Sequence, residues 1–422
     1  MINPNTFYYH TKIWWIVLGM MTNTLTFAQV ATYTTPLTLL GKKNQITVPF
    51  EYQQGFIVVK VYMENFLSLN FIFDTGAENT ILLKSSIADL LQLPCNKKLT
   101  ILGADLSSKI NAYVSNNINL RIENSQSVKQ NIIVMEENYN YLEECIGIKI
   151  DGILGAEFFK GLILRIDYKS KQITIFNPKK ISLQKLTKYK ALPITLHKNK
   201  PYLTCTAAVN QGANTSVKML LDTGAGLSAL FHDNTDTMLC LPHKIVKGQL
   251  GVGLGGDIVG FNGKIHKLSI GEFVLPNLIS SFQSLEEALI DTSKLIRNGL
   301  IGNLILERFD IYLDLNDSMI YLKPYKNFDK PIKYDKSGLT IFSFGVKLDQ
   351  YYVKSIIEGS PADEAGVMIG DVITKVGCWP VSIFSLNTIV NKLCGKSGKV
   401  LVIKVERAQK VFKYSITLRD LF

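Results

Sequence analysis

Residues 72–77 read IFDTGA and residues 220–225 read LLDTGA, so Asp-Thr-Gly-Ala occurs twice in one chain. The two aspartates, Asp74 and Asp222, lie 148 positions apart (222 − 74). A single Asp-Thr-Gly is ordinary turn chemistry, because Asp and Gly both favour tight turns. Two copies, each preceded by two apolar residues, raise the question of whether the repeat extends further.

The repeat does extend into the flanking sequence, and we call the two halves lobe one and lobe two. The offset of 148 (249 − 101) is kept by two further segments, ILGADLSS from Ile101 and QLGVGLGG from Gln249. DGILGAEFF from Asp151 and NGLIGNLIL from Asn298 follow at an offset of 147 (298 − 151), and LRIDY and IYLDL keep that second value. Landmarks in the same order at nearly constant spacing indicate an internal duplication.

The residues before each motif are typical of β-strands. FIVVKVYMENFLSLNFIFDTGA, residues 56–77, is rich in β-branched and aromatic residues around a turn signal, and NQGANTSVKMLLDTGA repeats the pattern. Each Asp is therefore predicted on a tight loop after a strand. Residues 133–147 and 282–296 each predict a short helix before the second apolar element of their lobe.

These motifs resemble those of the aspartic proteases over roughly residues 45–325. The matching elements are FDTGA with GILG in lobe one and LDTGA with GLIG in lobe two. The resemblance implies a mainly β, bilobal fold of two duplicated retropepsin-like lobes, with one DTG loop from each at the floor of a cleft. The Ala after each Gly is closer to the retroviral type, whereas two lobes on one chain are as in pepsins. We therefore expect a monomer.

The resemblance assigns Asp74 and Asp222 as the catalytic dyad. Two carboxylates about 3 Å apart cannot both ionise, so they share one proton. The ionised carboxylate would activate a water, and the protonated one would hydrogen-bond the scissile carbonyl. The acid and base roles belong to the pair. We expect neither a metal nor another cofactor.

The residues around the two aspartates have predicted supporting roles. The Thr hydroxyls would lock the two loops to each other, and the glycines would let backbone N–H groups approach the carboxylates. Apolar residues of GILG and GLIG would pack beneath the loops. The residues concerned are Thr75, Gly76, Thr223 and Gly224 in the motifs, with Ile153, Leu154, Gly155, Leu300, Ile301 and Gly302 beneath them.

Ala77 and Ala225 depart from the pepsin type, which often has a hydroxyl at this position. A hydroxyl there can hydrogen-bond a carboxylate and favour its ionised form. Without it, the pKa of the dyad should be less depressed and activity should lie nearer neutral pH.

GVGLGG, residues 251–256, fits the G-x-G-x-x-G pattern of dinucleotide-binding loops. That pattern must open a helix, but the following DIVGFNGKIHKLSI predicts strand and turn. The segment also aligns with GADLSS of lobe one. We therefore predict a hairpin flap that covers an extended peptide. The predicted flap residues are Gly251, Gly253, Gly255 and Gly256 in lobe two and Gly103 in lobe one.

Beyond the Lys/Pro-rich stretch YLKPYKNFDKPIKYDK, the sequence resembles a PDZ domain of the bacterial type, over about residues 335–422. The resemblance rests on GSPA from Gly359, AG from Ala365 and GDVI from Gly370, and SLNTIVNKLCG fits the helix beside the peptide groove. It implies a small β-sandwich or barrel with two helices that adds a peptide or chain terminus to an open sheet edge. The alternative is a domain that merely packs on the protease.

The carboxylate-binding loop of the PDZ resemblance falls on GLTI. Here Thr340 replaces a customary Gly, which counts against capture of a terminal carboxylate. The predicted peptide-binding residues are Gly338, Leu339, Thr340 and Ile341.

The N-terminus predicts export. Lys12 precedes the apolar run IWWIVLGMM, and Thr26–Ala28 offers a small-residue cleavage site before Gln29. The run is shorter than the roughly 20 residues that a spanning helix needs. We expect a cleaved signal peptide, a bacterial periplasmic or extracellular protein, and no stable membrane insertion afterwards. An uncleaved anchor is the alternative.

Composition sets further bounds. The 422 residues carry a formal charge of +11, but the basic residues are scattered without a long Lys/Arg run, which argues against nucleic-acid binding. The six cysteines fall two to a domain, compatible with one disulfide each in an oxidising compartment or with thiols used as small apolar residues.

The domain prediction is a signal peptide at 1–28, lobe one at 29–185, lobe two at 186–325, a linker at 326–337 and a PDZ domain at 338–422. Residues 29–44 are a candidate pro-segment. We expect an exported aspartic endopeptidase that acts on peptide or protein substrates, with a PDZ domain that binds a peptide ligand. The alternative is an inactive protease scaffold in which the PDZ domain is the working part.

Overall fold

The computed structural model describes residues 39–181, 186–211, 214–285 and 297–422. The predicted signal peptide, most of the candidate pro-segment and the predicted lobe boundary at residue 185 lie outside these ranges. So does most of the helix predicted for residues 282–296. The helix predicted within 133–147 is present at Tyr141–Ile146.

Lobe one is built from short strands whose apolar residues alternate with polar ones. In the first strand, QITVP, Ile46 and Val48 point inward while their neighbours are exposed, as period-two burial requires. The elements of lobe one are β1 Gln45–Pro49, β2 Glu51–Gln53, β3 Phe56–Met63, β4 Leu67–Phe73, β5 Ile81–Leu82, α1 Ser85–Leu90, β6 Cys95–Leu102, β7 Lys109–Ile122, β8 Val128–Met135, α2 Tyr141–Ile146, β9 Gly152–Leu154, β10 Ile163–Asp167 and β11 Gln172–Phe176.

Lobe two repeats this arrangement. Its elements are β12 Lys190–His197, β13 Lys200–Ala208, β14 Thr215–Leu221, β15 Ala229–Phe231, β16 Ile245–Gly253, β17 Gly256–Ile270, β18 Phe273–Phe282, β19 Gly299–Ile301, α3 Asn303–Leu306, β20 Phe309–Asp314 and β21 Met319–Pro324. The strand order β4-β9-β5-β8-β7-β6 of lobe one matches β14-β19-β15-β18-β17-β16 of lobe two. Both also pair the motif strand in parallel with the later apolar strand. The predicted duplication is confirmed at the level of topology.

A sheet with strands from both lobes joins them. Its order is β1-β11-β10-β20-β21-β12, and β10 pairs antiparallel with β20 across the lobe boundary. Arg165 on β10 donates to both carboxylate oxygens of Asp310 on β20, at 2.9 and 2.7 Å. One apolar core of buried side chains runs through both lobes. The lobes are therefore held as one body, with the motif loops between them.

The C-terminal domain has its own sheet and its own buried core. Ser360 and Ser385 cap its two helices through their side-chain oxygens, as residues at helix N-termini commonly do. The elements are β22 Leu339–Phe344, β23 Gln350–Ile356, α4 Pro361–Glu364, β24 Val372–Val376, β25 Trp379–Pro380, α5 Leu386–Leu393, β26 Val400–Arg407 and β27 Lys410–Thr417. The sheet order is β22-β23-β24-β26-β27, so β22 lies at one edge.

All six cysteines fall within the described residues, and all six are free thiols. Cys95, Cys240 and Cys378 are exposed, while Cys205 is buried in the common core. The alternative of one disulfide per domain is therefore not realised in the structure. Among the described helices, none is long and apolar enough to cross a membrane.

Candidate active site

The two Asp-Thr-Gly loops begin where two equivalent strands end. Strand β4 ends at Phe73 and β14 at Leu221, one residue before each aspartate. The backbone N–H of Asp74 donates to Leu154 at 3.1 Å, and that of Asp222 donates to Ile301 at 2.9 Å. The GILG and GLIG segments thus support the loops from the neighbouring strands, as predicted.

The two threonines connect the loops through a nearly symmetric set of hydrogen bonds. Thr75 N–H donates to Thr223 Oγ1 at 3.0 Å, and Thr223 N–H donates to Thr75 Oγ1 at 3.1 Å. Each hydroxyl also donates to the opposite strand, Thr75 to Leu221 O at 2.7 Å and Thr223 to Phe73 O at 2.9 Å. Both threonines are buried. The hydroxyls therefore fix the position of one loop relative to the other.

Each motif glycine lies against the carboxylate of the opposite loop. A Cβ built on Gly76 would lie 2.5 Å from Asp222 Cγ, and one on Gly224 would lie 2.2 Å from Asp74 Cγ. Real Cβ atoms do not come this close to other atoms, so a side chain at either position would push the loops apart. The glycines are needed for the approach of the two loops as well as for the N–H contacts that the sequence predicts.

Backbone N–H groups also orient the two carboxylates. Asp74 Oδ1 accepts from the N–H groups of Gly76 at 2.7 Å and Ala77 at 3.0 Å, and Asp222 Oδ1 accepts from Gly224 at 2.9 Å. Desolvation raises the pKa of Asp74, and the charge of Asp222 raises it further. Desolvation also raises the pKa of Asp222. The pair therefore keeps a proton at pH values where an exposed aspartate has lost it.

Two cations act on the lobe-two carboxylate. Arg297 and Lys200 both oppose the rise in the pKa of Asp222. The positive charge favours the ionised form of the lobe-two carboxylate. Neither cation could be recognised from the sequence, because Lys200 and Arg297 lie far from the lobe-two motif along the chain.

Asn303 is a buried residue of the site that the motifs did not reveal. Its side-chain Nδ2 donates to Gly55 O at 2.7 Å and to Thr223 O at 2.6 Å, while Oδ1 accepts from Tyr168 O–H at 2.6 Å. It thereby connects the lobe-two loop to backbone and side chain of lobe one. The one available signal was a polar residue directly after GLIG, where lobe one has Ala156.

The predicted flap residues lie in two hairpins whose tips touch. We call residues 103–108, between β6 and β7, the lobe-one flap tip, and the β16–β17 hairpin the lobe-two flap. Ala104 N–H donates to Leu254 O at 2.7 Å, joining the tips. Gly255 and Gly256 have φ angles of +104° and +116°, which favour glycine in the turn. Because β17 follows the glycines, the helix that a dinucleotide loop requires is absent from this described segment.

The lobe-two flap and the lobe-one motif loop pack against one buried cluster. Ala77 of lobe one and Leu254 of the lobe-two flap pack against the same buried cluster. A cavity of about 400 Å³ lies beside the touching tips, within the range of small-ligand sites. Its lining combines both flaps with the end of β18: Asp105, Leu106, Ser107, Lys247, Val259, Gly260, Phe261, Phe282, Gln283, Ser284 and Leu285.

Comparison with known proteins found one family model and a structural neighbour. Residues 352–407 match the family model of the PDZ domain. The aspartic proteinase from Irpex lacteus is a structural neighbour with 13% identity and a TM-score of 0.43, covering 68% of this chain and 99% of its own. No curated protein matched the sequence. With its two β lobes and C-terminal PDZ domain, the chain has the predicted mainly β fold class.

The predicted carboxylate-binding loop of the PDZ domain already has an internal carboxylate. Asp335 accepts hydrogen bonds from the N–H groups of Ser337 at 3.0 Å and Gly338 at 2.6 Å. Leu339 N–H donates to Ser337 Oγ at 3.1 Å. Thr340 and Ile341 lie in β22 and pair with β23. A terminal carboxylate would have to displace Asp335 and Ser337 from these donors.

Proposed function

We propose that this chain is an aspartic endopeptidase in which Asp74 and Asp222 activate a water for peptide hydrolysis. The observation that carries the proposal is the reciprocal packing of the two loops, with Gly76 against Asp222 and Gly224 against Asp74. A structural turn has no need of two carboxylates buried against opposing glycines. Activation of a water by an aspartate dyad does need two such carboxylates, which share one proton.

The proposed reaction uses the two carboxylates in different states. The ionised carboxylate removes a proton from a water held between them, and the water oxygen attacks the scissile carbonyl carbon while the protonated carboxylate donates a hydrogen bond to the carbonyl oxygen. The C–N bond of the resulting tetrahedral intermediate then breaks as the proton taken from the water passes to the leaving amine, so no covalent intermediate forms with the enzyme. The positive charges of Arg297 and Lys200 favour the ionised form of Asp222, while the acid and base roles are properties of the pair.

The proposed substrate is an extended peptide bound under the two flaps. Hairpins supply backbone hydrogen bonds to an extended chain irrespective of its sequence, while pockets beside them choose side chains. Export and removal of residues 1–28 remain part of the proposal on sequence grounds alone. We propose that the enzyme acts as a monomer, because each lobe supplies one aspartate.

The test is cleavage of a mixed peptide library at pH 6 by the chain that begins at Gln29, compared with Asp74→Asn and Asp222→Asn. Circular dichroism should establish that all three are folded. We expect cleavage by the wild type and a loss of at least 1,000-fold in both variants. Activity that survives in either variant would exclude the two-aspartate mechanism. No cleavage by folded wild type, also with residues 29–44 removed, would favour the peptide-binding alternative.

A further inference from the structure

The peptide-binding edge of the PDZ domain is in contact with lobe one. Strand β22 and helix α5 contact each other and form the two walls of the predicted groove. Helix α2 of lobe one reaches both walls. Ser343 Oγ on β22 donates to the carbonyl oxygen of Glu144 at 2.9 Å. A Cβ built on Gly147, which ends α2, would lie 2.8 Å from Cβ of Leu386, the first residue of α5.

An aromatic contact strengthens this position. The ring of Tyr141, the first residue of α2, packs edge-to-face on Phe342 of β22 with ring centroids 5.4 Å apart. Such aromatic pairs contribute beyond the area they bury. Helix α2 thus covers the far end of the β22 edge, while Asp335 and Ser337 accept from the loop N–H groups at its other end.

The same surface of the PDZ domain also holds the lobe-two flap. Lys354 Nζ on β23 lies 3.5 Å from Asp257 of the flap and 4.8 Å from the ring centroid of Tyr141. Tyr141 O–H donates to Asp257 at 2.5 Å. Ser355 Oγ donates to Gln249 Oε1 at 3.3 Å, and Gln249 Nε2 donates to Asp257 at 2.6 Å. The flap, α2 and the PDZ domain therefore share one polar network.

We propose that the PDZ domain is a clamp on the lobe-two flap, and that an extended peptide added to β22 displaces α2 and releases the flap. Tyr141 contacts β22, Lys354 and Asp257 together, so its displacement breaks both halves of the network. The ion pair of the clamp is partly exposed, with side-chain exposures of 26% for Lys354 and 34% for Asp257, so this contact can open reversibly.

The ligand that fits this groove is an internal extended segment rather than a chain terminus. The loop amides that would receive a terminal carboxylate already donate to Asp335 and Ser337. A backbone added to β22 needs no free terminus, and an aromatic side chain can take the place of Tyr141 on Phe342. The catalytic consequence of release, faster substrate entry, rests on the proposed peptidase function.

The first test measures the flap itself and does not depend on catalysis. Hydrogen exchange of amides 249–258 is followed by mass spectrometry in the full chain carrying Asp74→Asn. Lys354→Ala removes the cation of the network, and Lys375→Ala on the neighbouring strand β24 is the matched control. We expect about threefold faster flap exchange with Lys354→Ala, a similar direction with Tyr141→Phe, and no change with Lys375→Ala. Equal exchange in all four chains would overturn the clamp.

The second test asks whether α2 fills the groove. The probe is a fluorescein-labelled, amidated peptide NYNYLEESIGI, which is residues 138–148 with Ser in place of Cys145. A tethered segment competes at a high effective concentration, so removing its aromatic contact should open the site. Both chains carry Asp74→Asn. We expect the peptide to bind at least tenfold more tightly when Tyr141→Ala is added to this parent. Equal binding to both, or binding to neither, would overturn displacement of α2.

Cleavage of a reporter peptide separates this proposal from the peptidase function. Faster cleavage by Lys354→Ala than by Lys375→Ala, in chains with both aspartates, supports both proposals. A faster-exchanging flap without cleavage by any chain supports the clamp and contradicts the peptidase. Cleavage that is equal in both lysine variants, with equal flap exchange, supports the peptidase and contradicts the clamp.

Discussion

At the scale of single residues, the two aspartates are held in a position that favours one shared proton. Desolvation and the neighbouring negative charge raise the pKa of Asp74, while the N–H groups of Gly76 and Ala77 only partly offset this rise. A carboxyl whose pKa is raised by folding costs stability once it ionises. The buried pair therefore costs folding stability at pH values above the pKa of an unfolded aspartate, about 3.9.

Asp74→Asn should accordingly stabilise the fold as the pH rises. Because the folded pKa of Asp74 is raised, its favourable contribution is complete below about pH 4 and is lost as the pH rises through the folded pKa. Asn keeps the acceptor for Gly76 and Ala77 but has no charge. We expect urea unfolding to give about 1–2 kcal/mol more stability than wild type at pH 8 and no difference at pH 3. The exposed Asp349→Asn is the control, and a gain that is independent of pH would contradict the argument.

Gly76→Ala should damage both stability and activity. Its Cβ would meet the Asp222 carboxylate at 2.5 Å, and neither loop can move without breaking the threonine hydrogen bonds. We expect a loss of about 3 kcal/mol in urea unfolding, as for overpacking of a rigid site, and at least 100-fold lower activity. Gly251→Ala, where nothing lies within 4 Å of the new atom, is the stability control. Equal unfolding midpoints for Gly76→Ala and wild type would contradict the close packing of Gly76 against Asp222.

At the scale of elements, the site depends on segments that arrive from both lobes. Strands β9 and β19 accept from the N–H groups of the aspartates, and α3 begins with Asn303, which joins the lobe-two loop to lobe one. The symmetry of the strands is close, but Asn303 has no counterpart in lobe one. Lobe two therefore supplies a side-chain connection between the lobes that lobe one lacks at the equivalent position.

Asn303→Ala tests this connection. The change removes the hydrogen-bond partner of three buried groups: Gly55 O, Thr223 O and Tyr168 O–H. A buried polar group without a partner lowers the free energy of unfolding. We expect about 3 kcal/mol lower stability in urea unfolding and lower activity. Asn391→Ala, on the exposed side of α5, should change neither by a measurable amount. A change in Asn303→Ala no larger than in the control would contradict a role for this residue between the lobes.

The sequence could predict those elements whose signals are local. The strand before each motif, the helix at Tyr141–Ile146 and the hairpin of GVGLGG all follow from patterns within about 20 residues. The pairing of β10 with β20, the position of Asn303 and the closure of the PDZ loop by Asp335 depend on residues far apart or on packing. Strand partners are chosen by tertiary contacts, which a single sequence does not show.

At the scale of the whole molecule, the lobes share a sheet and a core while the PDZ domain keeps a core of its own. This difference fits the proposal that the lobes support the two loops rigidly while the PDZ contact opens reversibly. Rigidity is needed where two carboxylates must stay close together. Mobility is needed where a flap must open to admit a peptide.

The pH–rate profile of reporter cleavage from pH 3 to 9 is a direct test of the two-aspartate mechanism. We expect a bell-shaped profile with its maximum near neutral pH, because the raised pKa of Asp74 keeps one proton on the pair while Arg297 and Lys200 favour ionised Asp222. Asp74→Asn and Asp222→Asn should be inactive throughout. A wild-type profile confined to strongly acidic pH would contradict the raised pKa of the pair, and activity in either variant would exclude the two-aspartate mechanism.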